Sequence, residues 1–326
     1  MPTSDPMALS AVDLVKTYRA GRGAAPVRAL DGLTIGVAAG SVFALLGPNG
    51  AGKSTTVKIL TTLSRPDSGR ATVAGLDVLR DPDAVRHAIG LVSQKASSDP
   101  MATGRENLVL AGRIQDMSRG SARARAQELL TLFGLDDVAE RLARTYSGGM
   151  ARKLDVAIGL MHRPQVLFLD EPTAGLDPQA RAELWAEIAR LSGIEGMTVL
   201  VTTHYLEEAD QLADRLAIVD HGRIVVDGTP EELKSELRGD TVNVELRSAA
   251  AAAAATGRLA RLGGLNDVVS DGASLRARAE NGARAVPVLL AALEDAGIAV
   301  ASVTVARPSL DDVYLRYAGR SFEVAA

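Results

Sequence analysis

The sequence Gly47-Pro48-Asn49-Gly50-Ala51-Gly52-Lys53-Ser54-Thr55 constrains the fold more than any other feature of this chain. It matches the pattern G-x-x-x-x-G-K-[ST], in which glycines leave backbone N–H groups free to point at phosphate oxygens. The apolar run at residues 41–46 predicts a short strand before it, and residues 53–63 predict a helix after it. Strand, glycine turn and helix in this order predict an α/β fold with a nucleotide phosphate site.

Each position of this loop has an expected role. Lys53 is expected to bind the β- and γ-phosphates, and Ser54 is expected to bind Mg²⁺. The remaining predicted contacts to the nucleotide come from the rest of the loop: Gly47, Asn49, Gly50, Ala51, Gly52 and Thr55. The alternative is a chance glycine-rich turn, which the flanking strand and helix argue against.

A second motif ends in a pair of acids. The apolar run at residues 166–169 predicts a strand, and Asp170 and Glu171 follow it directly. Asp170 is expected to bind Mg²⁺, directly or through water, because the carboxyl end of a parallel strand lies beside the phosphate loop. Glu171 is then available as the general base for the attacking water. The alternative is a strand end with two solvated acids.

Two further apolar runs lead to polar residues. Residues 198–203 precede His204, and residues 89–92 precede Gln94. Runs without polar alternation are typical of parallel strands that are buried on both faces. We therefore expect His204 at the same sheet edge as Asp170, within reach of a γ-phosphate. The alternatives are a structural histidine and a solvated glutamine.

The stretch Tyr146-Ser147-Gly148-Gly149-Met150 indicates a second anion site. It offers a hydroxyl and glycine N–H groups at a predicted helix N-terminus, where anions are stabilised. One nucleotide does not require two phosphate-binding ends. The second end therefore suggests a second copy of the chain.

Composition limits the classes of function. A net charge of −4 and an aromatic content of 3% argue against a nucleic-acid partner. The absence of cysteine excludes disulfides and Cys-based zinc sites. No apolar run approaches the roughly 18 residues that span a bilayer, and residues 1–6 have no features of a secretion signal.

The chain of 326 residues predicts two domains. The first, residues 7–235, begins with two edge strands around a turn at residues 20–26, and its α/β pattern is interrupted by a helical subdomain at about residues 97–163. A helix that starts at Asp177 and Pro178 links two of its strands. The second domain, residues 240–326, has the order β-α-β-β-α-β of a ferredoxin-like α+β unit. Its alanine-rich tract at residues 249–255 is either a helix or a low-complexity linker, and a helix is favoured.

Residues 7–235 resemble the ATP-binding subunits of ATP-binding-cassette (ABC) transporters, because several motifs occur in the family's order. By this resemblance, Tyr18 stacks on adenine and Gln94 senses Mg²⁺ and the attacking water. Ser147, Gly148 and Gly149 match the signature loop that contacts ATP of the opposite subunit. Asp177 lies in the loop that crosses the dimer seam, and His204 matches the switch histidine.

Two features indicate a branch of the family. The family commonly has Leu and Gln where this chain has Tyr146 and Met150, and methionine cannot make the polar contact of glutamine. Residues 308–319 resemble the closing segment of daunorubicin/doxorubicin-resistance-type drug-export ATPases. This segment predicts an amphipathic helix with Leu310, Val313 and Tyr317 inward.

The resemblance implies a homodimer that binds two ATP molecules with Mg²⁺ and hydrolyses them. It also implies a separate membrane permease, a peripheral location on the cytoplasmic face of the membrane, and export of a hydrophobic drug, antibiotic or lipid-like compound. The permease is expected to dock near Gln94 and residues 97–115. The alternative is an ABC ATPase that acts on DNA or the ribosome. Against it, the helical subdomain has no sustained heptads and the chain has a single phosphate loop.

Overall fold

The computed structural model describes residues 7–19, 25–237 and 239–318. Residues 1–6, most of the turn predicted at residues 20–26, and the end of the segment at residues 308–319 lie outside this part of the chain. Contacts divide the chain into two compact units between Pro230 and Glu231.

The first unit alternates strands and helices. Its strands are β1 (Met7–Tyr18), β2 (Val27–Ala38), β3 (Val42–Leu46), β4 (Ser68–Val73), β5 (Leu76–Asp77), β6 (Ile89–Val92), β7 (Val166–Asp170), β8 (Thr198–Thr203), β9 (Arg215–Asp220) and β10 (Arg223–Gly228). Its helices are α1 (Lys53–Leu60), α2 (Pro82–Ala88), α3 (Gly104–Ile114), α4 (Arg119–Leu132), α5 (Gly148–Gly159), α6 (Pro178–Glu195) and α7 (Leu206–Leu212).

Two sheets enclose the core of this unit. One has the order β2-β1-β4-β5 and is antiparallel, and the other has the order β10-β9-β3-β8-β7-β6. In the second sheet only the β9–β10 pair is antiparallel. Apolar side chains of both sheets and of α1 form one cluster. The α/β prediction is therefore confirmed.

The central parallel strands are buried along their whole length. All residues of β3 and β8 are buried, as are the first four of β7. This explains their unbroken apolar sequence, because helices or another sheet cover both faces. Their register places Leu46 beside Thr203 and Asp170 beside Thr202. The connections that follow β3, β7 and β8 therefore start at the same edge of the sheet.

The helical stretch predicted between β6 and β7 contains α3, α4 and α5. Helix α3 begins with a reciprocal capping box between Thr103 and Glu106. Helix α1, however, ends at Leu60 and not at Leu63 as predicted. The reason is local, because Thr62 takes a left-handed backbone conformation with φ of 63° that ends the helix.

The second unit has the predicted ferredoxin-like topology. Its elements are α8 (Pro230–Glu236), β11 (Asp240–Leu246), α9 (Ala252–Leu259), β12 (Leu265–Asp271), β13 (Ser274–Ala279), α10 (Gly282–Asp295), β14 (Val300–Ala306) and α11 (Leu310–Ala318). The antiparallel sheet has the order β12-β13-β11-β14. The alanine-rich tract is helical, as favoured, because Ala252 and Ala255 are buried with Val242 and Leu289 in the core.

In the final helix, α11, one of the three residues predicted to face inward does not. Leu310 and Val313 are buried as expected, but the inward aromatic residue is Tyr314. Tyr317 is 38% exposed and its hydroxyl donates to Glu236 Oε2 at 2.7 Å. Tyr314 shares the face of Leu310 because positions i and i+4 coincide on a helix, while the polar end of Tyr317 remains near solvent.

The boundary between the units lies slightly before the one that the sequence indicated. The predicted domains were residues 7–235 and 240–326, which assigned most of α8 to the first. In the structure the buried Arg278 donates to the carbonyls of Leu237 at 2.6 Å and Gly239 at 2.9 Å. These bonds, with that of Tyr317 to Glu236, tie the end of α8 to the second unit.

Within the described residues, every helix is too short or too polar to traverse the apolar core of a bilayer.

Helix α5 and strand β6 approach closely at Gly159 and Gly90. An alanine Cβ at Gly90 would lie 2.4 Å from the carbonyl oxygen of Gly159, which is backbone and cannot move alone. We expect Gly90→Ala to lower the free energy of unfolding of the first unit by about 1–3 kcal/mol. Urea titration followed by fluorescence of Trp185, the single tryptophan, measures this unit.

The matched control is Gly193→Ala in α6, where a Cβ meets no atom within 4 Å. It should raise the free energy of unfolding by about 0.5–1 kcal/mol, because alanine loses less backbone entropy than glycine. Equal effects of the two substitutions would contradict the close approach.

Candidate functional site

The phosphate loop connects β3 to α1 at the edge where the parallel strands end. The N–H of Gly47 donates to the carbonyl of Thr203 at 3.3 Å, and the N–H of Ala51 donates to that of Pro48 at 3.2 Å. Gly52 has φ of 113°, and a Cβ there would lie 2.6 Å from the carbonyl oxygen of Ala29. Glycine is therefore required at this position by both conformation and space.

The other predicted loop residues differ in exposure. Asn49 and Gly50 form the exposed tip, whereas Ala51 is buried. Ser54 and Thr55 are half-buried in the first turn of α1. The loop therefore presents its tip to solvent and its helix start to the sheet edge.

Lys53 lies inside the loop. Its side chain is 4% exposed, and its Nζ donates to the carbonyls of Gly47 at 2.6 Å and Pro48 at 3.2 Å. Burial lowers the pKa of Lys53, while the charges of Glu171 and Asp170 act in the opposite direction. The ammonium is thus held by carbonyl oxygens and acids at the mouth of the loop.

The acid pair lies beside the start of α1. Asp170 Oδ1 accepts hydrogen bonds from Ser54 Oγ at 3.2 Å and from Thr202 Oγ1 at 2.5 Å. Glu171 has φ of 49°, an uncommon conformation for a residue other than glycine. Its N–H donates to Thr202 Oγ1 at 3.1 Å. Strain of this kind persists where the surroundings define one geometry, which is typical of functional sites.

Glu171 is the centre of the predicted catalytic group. Its Oε1 lies 3.5 Å from Lys53 Nζ and 3.3 Å from His204 Nδ1. The angular geometry at His204 Nδ1 is not that of a hydrogen bond. The amide of Gln94 donates to Glu171 Oε2 at 3.4 Å. The structure therefore brings Lys53, Gln94, Glu171 and His204 together.

Ser147 and Asp177 lie at the starts of α5 and α6. Each begins a helix, with Ser147 Oγ accepting from Met150 N at 3.3 Å and Asp177 Oδ1 accepting from Ala180 N at 2.9 Å. A Cβ at Gly149 would lie 2.8 Å from the Cβ of Ala180, so α5 and α6 meet closely at their starts. The hydrogen bonds described for Ser147 and Asp177 close their own helices, and the contacts of Gly149 lead to α6.

Gly148 and Tyr146 flank this helix start. Gly148 is exposed, and a Cβ there would lie 3.7 Å from Leu176. The half-buried Tyr146 donates its hydroxyl to the carbonyl of Val138 at 2.8 Å, and burial raises its pKa. Gly104 gives the ring room, because a Cβ there would lie 2.2 Å from the Tyr146 oxygen. Tyr146, where the family commonly has leucine, therefore packs in the space that Gly104 leaves open.

Tyr18 ends β1 in the antiparallel sheet, apart from the strand that carries the loop. It is exposed, and the ammonium of Lys16 lies 5.6 Å from the centre of its ring. The ring is thus open to a flat partner. Its stacking role remains a prediction.

Comparison with known proteins identifies the family of this chain. Residues 30–174 match the family described as "ABC transporter", and residues 228–318 match "ATP-binding protein DrrA1-3-like, C-terminal domain". The chain is 46% identical over 332 residues to the daunorubicin/doxorubicin resistance ATP-binding protein DrrA of Streptomyces peucetius, covering 100% of this chain and 98% of that protein. It belongs to the ATP-binding subunits of ABC transporters.

A second relative and a solved structure support this membership. The ABC subunit is 49% identical over 292 residues to the daunorubicin resistance ATP-binding protein DrrA3 of Streptomyces coeruleorubidus, covering 90% of this chain and 92% of that protein. Its fold is similar to that of a dimeric ATP-binding cassette in a post-hydrolysis state bound to ADP and Pi, with a TM-score of 0.62 and 26% identity. That match covers 68% of this chain and 98% of the other.

The ABC subunit is therefore an ATPase of the drug-resistance exporter type, and its ATP hydrolysis is coupled to transmembrane transport.

The residues of this ABC subunit fit a magnesium ion that is shared with a nucleotide. Ser54 Oγ and Asp170 Oδ1 are hard oxygen donors that lie 3.2 Å apart. In the described part of the chain, no group of three or more His, Asp or Glu side chains could hold a metal by itself. Mg²⁺ commonly takes one or two protein ligands and completes its shell with phosphate and water.

Two further residues near the site were not predicted from the sequence. Thr202 orients both acids through its hydroxyl, and the fully buried Glu208 accepts hydrogen bonds from Thr173 Oγ1 at 2.9 Å and Trp185 Nε1 at 3.0 Å. Thr202 could have been found as a polar residue near the end of a strand predicted to pair with that of Asp170. Glu208 had no sequence signal, because its partners are distant in the chain.

Thr202→Val tests the hydroxyl of the ABC subunit that orients Asp170. The shapes are similar, but the hydrogen bond of the hydroxyl to a charged carboxylate is lost, at a cost of about 1.5–3 kcal/mol, while the N–H of Glu171 keeps its bond to the carbonyl of Thr202. We expect the rate of ATP hydrolysis to fall about 10-fold or more, since 1.4 kcal/mol corresponds to a factor of about ten. Initial rates measured against Mg²⁺ concentration check this.

Thr203→Val is the control, because Thr203 Oγ1 accepts only the N–H of Tyr205 among the bonds described, at 2.9 Å. Its rate should stay near that of the parent. Equal losses in both variants would assign Thr202 to strand packing.

Proposed function

We propose that two copies of this chain close around two ATP molecules and hydrolyse them to drive export through a separate membrane permease. The contacts of Glu171 carry this proposal. One carboxylate meets Lys53, Gln94 and His204, which follow three different strands of the parallel sheet. A carboxylate that lies beside a lysine of the phosphate loop, a glutamine and a histidine is suited to water attack on a γ-phosphate.

In this proposal the loop holds the phosphates. The N–H groups of Asn49, Gly50 and residues 52–55, with the Lys53 ammonium, would bind the β- and γ-phosphates, and Ser54 and Asp170 would hold Mg²⁺. The N–H groups of Gly47 and Ala51 instead donate to carbonyls that shape the loop. The bound ion supplies charge stabilisation for the transferred phosphoryl group. Because Lys53 is buried, its charge acts in a site with little water and is weakly screened.

Glu171 is proposed as the general base. Its carboxylate accepts a proton from the attacking water, which Gln94 orients by its amide. His204 contacts the γ-phosphate from the end of β8. Lys53 Nζ lies 3.5 Å from Glu171 Oε1, so the lysine of the phosphate loop is placed directly beside the proposed base.

The start of α5 is proposed to serve the partner copy. The first N–H groups of a helix have no acceptor within the helix, and here they belong to Gly148 and Gly149 with Ser147 as the cap. Ser147, Gly148 and Gly149 would bind the γ-phosphate of ATP held by the other copy. Asp177, at the adjacent start of α6, would lie at the dimer seam. A dimeric state in a similar solved cassette supports this arrangement.

Tyr18 is proposed to stack on adenine. Its exposed ring at the end of β1 provides a face for the base.

A groove beside the helical subdomain is proposed to receive the permease. The groove measures about 330 Å³ and its lining includes Leu63, Leu91, Ile114 and Ile158. Ile114 is 70% exposed and Leu63 is 64% exposed, and both line this one groove, so their apolar surface is contiguous, as at sites where a partner binds. Apolar side chains of a cytoplasmic helix would fit there, and docking would place the ATPase on the cytoplasmic face of the membrane.

The proposed cargo is a hydrophobic drug, antibiotic or lipid-like compound. The support is the naming of relatives for resistance to daunorubicin and doxorubicin. In this proposal the cargo contacts the permease.

Glu171→Gln tests the proposed base. Glutamine preserves the shape and the hydrogen-bonding oxygen but cannot accept the proton from water. We expect ATP hydrolysis to fall by about 10²–10⁴-fold, while ATP binding persists and an ATP-dependent dimer accumulates. Hydrolysis rates and light scattering with and without ATP measure the two effects.

Ser147→Arg in the same background tests the shared site. The large side chain would occupy the space at the start of α5 where the γ-phosphate of the partner's ATP is proposed to bind. It should abolish the ATP-dependent dimer. Parental hydrolysis by Glu171→Gln would refute the base, and an undiminished dimer with Ser147→Arg would refute the shared site.

Ile114→Asp tests the permease groove. A charge on its wall should reduce co-purification with the permease, because burial of an unpaired carboxylate is costly. ATP hydrolysis by the separate subunit should stay near the parental rate. Leu79→Asp, at an exposed apolar residue outside the groove lining, is the control and should co-purify normally. The proposed groove is wrong if the two variants co-purify equally well.

A further inference from the structure

The guanidinium of Arg152 meets two loops of the site at once. Arg152 lies in α5 and is 8% exposed. Its Nε donates to the carbonyl of Pro172 at 2.7 Å, and its Nη1 donates to the carbonyl of Ser93 at 2.7 Å. Its Nη2 donates over longer distances to the carbonyls of Asp170 at 3.3 Å and Glu171 at 3.4 Å. One side chain therefore binds four backbone carbonyls.

These carbonyls belong to segments that carry proposed catalytic groups. Ser93 directly precedes Gln94, and residues 170–172 include Glu171 itself. Arg152 thus holds the main chain of both segments, while Lys53 and Gln94 contact the side chain of Glu171.

Asp155, one turn further along α5, holds the other end of the Gln94 loop. Its Oδ1 accepts the N–H groups of Ser97 at 2.9 Å and Ser98 at 3.0 Å. The loop is therefore tied to α5 on both sides of Gln94. Asp155 Oδ2 is also 3.9 Å from Arg152 Nη1, which gives the guanidinium a nearby counter-charge.

The position of residue 152 favours arginine over lysine. Burial lowers the pKa of Arg152, and the charges of Asp155, Asp170 and Glu208 oppose that effect. Arginine nevertheless stays charged and presents five donors in a planar fork. Lysine has three donors on one atom and cannot reach carbonyls that diverge toward two loops.

We propose that Arg152 is a positioning residue for ATP hydrolysis, which sets the places of Glu171 and Gln94 relative to α5. It acts through the backbone of these residues and has no need to touch the nucleotide. Ser147 caps the start of the same helix, little more than one turn before Arg152.

One consequence rests on the proposed function. If ATP of the partner copy binds Ser147, it fixes the position of α5, and Arg152 transmits that position to the base of its own chain. Each active site then responds to nucleotide in the other. Hydrolysis by the parent should depend on ATP concentration with a Hill coefficient above 1, and loss of the arginine fork should bring it toward 1.

The test is Arg152→Lys in the full chain, which keeps the charge but loses the fork. Steady-state hydrolysis gives kcat and KM, and a fluorescent ATP analogue counts the binding sites. We expect kcat per site to fall by about 10²-fold, the loss that a displacement of about 1 Å can cause. KM should remain near the parental value, as expected when only the transition state is affected.

Arg163→Lys is the matched control. Arg163 is an exposed arginine that follows α5, and its Nη2 pairs with Glu128 at 2.9 Å. This variant should keep the parental kcat, KM and Hill coefficient. If Arg152→Lys fails to fold, Arg152→Gln provides a neutral replacement with two donors and the same expectation. The proposal is overturned if kcat per site of Arg152→Lys equals that of Arg163→Lys. It is also overturned if the hydrolysis rate of Arg152→Lys falls only in proportion to the number of ATP-binding sites.

The Glu171→Gln variant separates this proposal from the proposed function. If that variant forms no dimer with ATP, the shared site fails, but the kcat per site of Arg152→Lys still tests positioning. If the dimer forms and Arg152→Lys retains parental kcat per site, only the positioning role of Arg152 is wrong.

Discussion

The parallel pairing of β6, β7, β8 and β3 is the constraint on which the site depends. Their register places Val92 beside Leu169, Asp170 beside Thr202 and Leu46 beside Thr203. Neighbouring strands lie about 4.8 Å apart, so the residues that follow each strand begin within side-chain reach of one another. A shift of one residue in any strand would exchange its side chains between the two packed faces of the sheet and move its polar end about 3.3 Å away from the group. The hydrophobic burial that sets the register therefore also assembles the chemistry.

Glu171 is held by both its side chain and its main chain. Lys53, His204 and Gln94 surround the carboxylate, while Arg152 and Thr202 bind the backbone around it. This explains how a glutamate remains at φ of 49°, since such a conformation persists only where neighbours define it from several directions. A base fixed in this way loses little entropy when water and phosphate enter, and small displacements of its supports alter the rate strongly.

The starts of α5 and α6 combine a structural and a proposed binding role. Ser147 and Asp177 cap their own helices, and Gly149 allows the two helices to meet because a Cβ would contact Ala180. A cap orients the first N–H groups of a helix without using them all. The same geometry that stabilises each helix therefore leaves donors for an anion from outside the chain, as the proposed dimer requires.

The sequence by itself determined the elements whose signal is local. The glycine loop, the apolar strands, the helix start at Asp177 and the β-α-β-β-α-β order all follow from spacing, burial pattern and turn chemistry within short windows. It misplaced the end of α1, which depends on one backbone angle. It also misplaced the inward aromatic residue of α11, which depends on the rotation of a short helix about its axis. Only the tertiary structure decided the roles of Arg152, Thr202 and Glu208. Their partners come from separate segments, and a guanidinium that binds carbonyls leaves no pattern, because every residue carries a carbonyl.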